Sequence, residues 1–253
     1  METIAACFPT VPDAISDSRP SSSHDQGSSS GTGKRGRIER RLERAVGTKH
    51  FVVLAWIAIF GCAAVIMADV TMWFLVEGYD PIAQTISELG AGPHAWLQDT
   101  GLTLFAVGVA ALLVAFALAE AGSRNGWITR VALGALAVAI TVIALRNAYG
   151  DNIANQWEVH REMVILTGLA VPAILWFAPK TFSADGRVAK ASRIVAIVWL
   201  IAAPLFFFMP EDINGIYERV LAGVMVASVL VAAISLLRYA DELEPDGLDK
   251  SGD

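Results

Sequence analysis

Three short polar phrases interrupt an otherwise apolar chain: YDPIAQTISELG at 79–90, WEVHRE at 157–162 and GIYERV at 215–220. Together they hold the residue types of a nucleophilic site. Ser87 would be the nucleophile and His160 its general base, with Glu88 or Glu158 orienting the imidazole. A serine hydroxyl needs such a base, and the base needs a third group to fix its tautomer. The substrate would be a lipid ester or amide. The Gly-x-Ser-x-Gly elbow is absent, so Ser87 reads more simply as a solvated residue of a short helix.

The same phrases suit a ligand site. Arg146, Arg161 and Arg219 would meet an anionic headgroup, since the planar guanidinium fork matches phosphate or carboxylate, while Glu88, His160 and Glu218 complete the hydrogen bonds. Glu88, His160, Glu218 and Arg219 are expected to converge on one pocket. Ionisable residues within apolar spans are costly and face partners, so a pair of Asp69 with Arg146 or Arg219 is also expected. His24, His50, His94 and His160 are dispersed, and nothing in their spacing demands zinc. No metal and no cofactor is expected.

What must position these residues is a set of membrane helices. Of the 253 residues, 55% are hydrophobic and 17% charged, and apolar runs occur at about 51–76, 97–119, 127–147, 160–178, 193–209 and 216–238. Each is close to the ~20 residues that a spanning helix needs. Lys and Arg gather before the first run, at Arg124 and Arg130, and over 180–193. The positive-inside rule then puts both termini in the cytoplasm and 77–96, 148–159 and 210–215 outside, in a bacterial plasma membrane. The fold class is an all-α polytopic bundle of six spans. Ala111, Ala115 and Ala119 offer a small-xxx-small face, while Pro172 and Pro204 sit inside spans.

The first outer loop carries a helical pattern of its own over 79–90. Asp80 is expected as N-cap with Pro81 at the first helical position, Ile82, Ile86 and Leu89 on one face, and Gly90 as a left-handed C-cap. A short amphipathic helix at the outer mouth follows from this.

The flanks differ from the span region. Residues 1–33 are Ser/Gly-rich and expected to be disordered, and 239–253 form an acidic disordered tail. Residues 34–50 hold seven Lys or Arg against two Glu, which suits a basic juxtamembrane segment lying on an anionic leaflet. No basic groove with interleaved aromatics suggests nucleic acid. Cys7 and Cys62 are placed for neither a disulfide nor a metal.

The three polar phrases resemble those of domain-of-unknown-function family 998, six-helix membrane proteins of bacteria and archaea, over roughly 50–238. The resemblance implies a six-span bundle with the Ser-Glu loop, the histidine and the Glu-Arg pair on the outer side. It implies no reaction. The reading that results is a membrane protein that binds or moves a lipid or small anionic amphiphile at its outer mouth. The alternatives are a ligand-free scaffold recruiting partners through its charged tails, and a hydrolase using Ser87 and His160.

Overall fold

In the first half of the chain glycine and alanine, not large apolar residues, set how closely helices approach. A side chain on Gly61 would stand 2.5 Å from the Leu104 carbonyl oxygen, and one on Gly101 2.6 Å from Ala68 Cβ. Two backbones can therefore touch along this seam. Lipid tails are as apolar as leucine, so such close packing is what holds spans together.

The computed structural model describes residues 30–90, 92, 94–119, 124–145, 156–178 and 186–243. The helices are α1 (Ser30–Leu75), α2 (Ile86–Leu89), α3 (Ala95–Ala119), α4 (Arg124–Leu145), α5 (Gln156–Phe177), α6 (Gly186–Leu205), with a 3-10 turn at Phe206–Phe208, and α7 (Asn214–Leu243). Among the described residues there is no strand. The chain divides into Met1–Glu39, helical from Ser30, and Arg40–Asp253, which holds the bundle.

Six stretches are long and apolar enough to cross a membrane: Thr48–Leu75, Ala95–Ala119, Gly126–Leu145, Glu158–Phe177, Gly186–Phe208 and Asn214–Glu242. They fall where the apolar runs predict, with one shift. The fifth helix begins at Gly186, so Arg187, Lys190 and Arg193 lie on its first turns and not in a loop. Val188, Ala189 and Ala191 separate these cations and leave the helix unbroken. Of the stretches expected to be disordered, residues 30–33 and 239–243 are helical, the ends of the first and last helices, while 1–29 and 244–253, like Arg146, lie outside the described residues.

The spans close into a ring in chain order. Beyond the α1–α3 seam, α3 packs on α4 and α4 on α5. Trp199 Nε1 on α6 donates to the Gly168 carbonyl on α5 at 2.9 Å, and Tyr217 on α7 donates to the Ala202 carbonyl on α6 at 2.7 Å. Both bonds use a polar atom that lipid would leave unpaired. Phe51 meets Tyr239 edge-on at 5.6 Å between ring centres, which brings α7 back to α1. Trp73, Trp96 and Trp127 are exposed near span ends, as interfacial anchors are expected to be.

Candidate functional site

The loop after α1 is built by local polar bonds. Gly78 adopts a left-handed conformation (φ 71°) that turns the chain out of the first span at low steric cost. Asp80 then folds residues 80–84 into a turn: its Oδ1 accepts the Ile82 N–H at 2.9 Å and its carbonyl the Gln84 N–H at 2.8 Å. The chain breaks there and restarts. Thr85 Oγ1 accepts the Glu88 N–H at 3.2 Å while Glu88 Oε2 accepts the Thr85 N–H at 3.0 Å, a reciprocal capping box.

Three expectations are thereby corrected. The N-cap is Thr85 and not Asp80, because Thr-x-x-Glu satisfies two backbone donors at once. Gly90 is right-handed (φ −69°), so it does not act as a left-handed cap. Ile82 precedes the break and is exposed, whereas Leu89 is buried, so the three apolar residues do not share a face.

This loop is docked onto the start of α7. The Gly215 N–H donates to the Ala83 carbonyl at 3.1 Å and the Ile216 N–H to the Ile82 carbonyl at 2.9 Å, giving partners to first-turn donors that the helix itself leaves unmet. A side chain at Gly215 would stand 2.2 Å from the Gln84 oxygen, so the contact requires glycine.

Arg219, one turn further, fastens the same loop. Its Nη1 donates to the carbonyls of Pro81 and Gln84, both at 2.9 Å, and of Gly215 at 3.1 Å. Nε and Nη2 grip Asp69 on α1 at 3.2 and 3.0 Å, and Nη2 also donates to the Tyr79 hydroxyl. The guanidinium packs against the Trp73 and Tyr79 rings. All five of its N–H hydrogens thus have protein acceptors.

The neighbouring Glu218 points the other way. Its Oε2 accepts the Ile86 N–H at 2.5 Å and its Oε1 the Ser87 hydroxyl at 2.9 Å. Ser87 Oγ lies 3.2 Å from His160 Nε2. A hydroxyl has one hydrogen, so with Ser87 donating to Glu218 the imidazole nitrogen is the donor to Ser87. In this arrangement the carboxylate stands beside the serine. Glu88 is exposed and caps its own helix, and Glu158 is exposed.

Ser87, His160, Glu218 and Arg219 all line one partly open cavity of about 750 Å³, to which all six spans and α2 contribute. Its other walls are apolar, including Leu102, Ile140, Val164, Leu200 and Met225 along the spans and Phe207 in the turn after α6. Asp69, Gln98, Asp99 and Thr167 also reach it. Of the four residues expected to converge, Glu88 does not line the cavity; Arg161, a candidate for meeting a headgroup, is exposed and does not line it either. Gln98 and Thr167 were not singled out by sequence reasoning; a glutamine at the head of one apolar run and a threonine in the middle of another carry no charge to signal them.

Residues 51–235 match the family described as "Protein of unknown function (DUF998)", and the chain belongs to that family. No curated protein and no solved structure gives a significant match.

Proposed function

We propose that this member of the DUF998 family binds an amphiphile inside its ring of spans, headgroup at the loop end and tail among the apolar walls. The observation that carries the reading is the cavity itself. It has ~750 Å³, in the range of small-molecule sites, and its polar groups gather at one end. The charge balance favours an uncharged headgroup over the anionic one expected from the arginines. Asp69, Asp99 and Glu218 line the cavity, and the arginine among them already has protein acceptors for every hydrogen. An anion there would meet carboxylates. The loop end is extracytoplasmic in this reading, by the Lys and Arg distribution, and the membrane is the bacterial plasma membrane.

The test uses two glycines. Gly168 and Gly223 line the cavity, and a Cβ built on either meets nothing within 4 Å. Gly168→Leu and Gly223→Leu therefore fill the cavity without a backbone collision. Native mass spectrometry of gently solubilised wild type is expected to show a retained amphiphile that both variants lose while keeping their melting temperature. Equal retention in all three proteins rules the cavity out as the binding place.

The 3.2 Å contact of Ser87 with His160 favours a second reading, ester hydrolysis in the same cavity. With the hydroxyl turned away from Glu218 and the imidazole hydrogen on Nδ1, Ser87 Oγ would attack the ester carbonyl while His160 Nε2 takes its proton. The ester C–O bond would break as Nε2–H returns that proton to the departing alcohol, leaving an acyl-serine for water to hydrolyse. A fluorophosphonate probe distinguishes the two readings. Labelling of wild type that Ser87→Ala abolishes supports hydrolysis, and an unlabelled wild type leaves binding alone.

A further inference from the structure

We infer that Gln98, with Asp99 and Thr167, forms a subsite for a hydroxyl-bearing, uncharged glyceride headgroup. This rests on the amphiphile reading above and names its ligand class. Gln98 is 1% exposed, lines the cavity, and neither its Nε2 nor its Oε1 has a hydrogen-bond partner. An amide buried without partners is destabilising, a cost that a bound group would relieve. Thr167 repeats the pattern. Thr71, Thr100 and Thr141 each return the hydroxyl to the carbonyl four residues back, whereas Thr167 Oγ1 is enclosed with no partner at all. The carboxyl of Asp99, next to Gln98, has neither an ion pair nor a hydrogen bond among the described residues.

The chemistry of these groups selects the partner. The Gln98 amide offers two N–H donors and one carbonyl acceptor, so its complement must both accept and donate. An anionic headgroup only accepts, and it would face the Asp99 carboxyl. An ammonium only donates, and it would leave Nε2 unmet. A hydroxyl does both at one atom. Thr167 lies seven residues beyond His160 on α5, about 10 Å along the axis, so the polar lining reaches as deep as a glycerol with its ester linkage and then gives way to apolar wall.

The experiment is binding of 1-monooleoylglycerol to the full chain in mild detergent, followed by native mass spectrometry, beside oleate and oleylamine. Wild type is expected to prefer the glyceride. Gln98→Leu and Gln98→Met are each expected to weaken its binding at least tenfold with a melting temperature equal to or above wild type, because they remove unsatisfied polar atoms from an apolar site. A purely structural glutamine would instead lower the melting temperature when replaced. Undiminished binding in both Gln98 variants overturns the subsite while leaving the cavity reading intact. Preference for oleate or oleylamine overturns the headgroup class. Glyceride retained equally by wild type and Gly168→Leu overturns the cavity reading, and the subsite with it.

Discussion

Arg219 on the last span and Asp69 on the first are joined side-on, Nη2 to Oδ1 at 3.0 Å and Nε to Oδ2 at 3.2 Å, with side chains 9% and 15% exposed. This pair closes the helix ring where chain order alone would leave it open. The same guanidinium gathers carbonyls from the loop that carries Ser87, so ring closure and the position of the site residue are one structural event. Arg219 is therefore a positioning residue.

Replacing Arg219 should expose that role. Arg219→Ala leaves Asp69 enclosed without its cation, a loss of about 3 kcal/mol for a pair of this burial. Arg219→Lys is expected to recover only part, because a point charge cannot grip Asp69 side-on and hold the loop carbonyls together. Denaturant titration in detergent measures both. A wild-type midpoint for Arg219→Ala would show that the clasp is incidental.

Gly215→Ala tests the docking of the loop. The added carbon would sit 2.2 Å from the Gln84 oxygen, so the loop must lift from α7. Overpacking of this kind costs ~1–3 kcal/mol. Hydrogen exchange is expected to rise at Gly215 and Ile216 positions, whose N–H groups lose their loop acceptors, while mid-span amides stay protected. Unchanged exchange there would mean that the loop tolerates the methyl in place.

The spans and the salt bridge were legible in the sequence because each rests on a strong local signal. Runs of apolar residues at bilayer length admit few other structures, and Asp69 inside one of them demands a cation. Of its two foreseen partners the structure shows Arg219. Loop parity also put the Ser-Glu loop, His160 and the Glu218-Arg219 pair on one side, with Glu88 and not Ser87 expected beside Glu218. The division of labour between Glu88 and Glu218 did not follow. Two glutamates of the same charge differ only in whether a capping threonine stands three residues earlier, and Asp80-Pro81 offered a rival start. Ala111 and Ala115 are buried, as a small-residue face requires, whereas the α1–α3 seam rests on Gly61 and Gly101, whose partners belong to another helix and leave no local periodicity. Gln98 was invisible for a different reason: its significance lies in what it fails to touch.

Glu88→Ala separates capping from binding. Loss of one half of the box costs about 1 kcal/mol, as does Thr85→Ala, which removes the other half. Both are expected to raise proteolysis of 79–90. Because Glu88 is exposed and off the cavity, amphiphile retention in Glu88→Ala should stay within about twofold of wild type, less than the tenfold that ~1.4 kcal/mol would represent. A larger loss would return Glu88 to the binding site.

Tyr79 gives the loop a pH signature. Burial pushes its phenol up to about 12 from the ordinary 10, against the opposing pull of Arg219. Its hydroxyl donates to the Gln84 carbonyl at 3.0 Å and accepts from Arg219, so the protonated form is the one that ties the loop together. The folded chain holds this proton more tightly than the unfolded chain. The stability it contributes is thus complete below pH ~10 and is lost as pH rises through ~12. Two measurements follow. The tyrosinate absorbance that disappears in Tyr79→Phe should have its midpoint near pH 12, and unfolding of Tyr79→Phe should show a shallower decline across pH 10–12 than wild type. A midpoint near 10 would mean that the phenol is solvated and that the loop opens freely at the mouth.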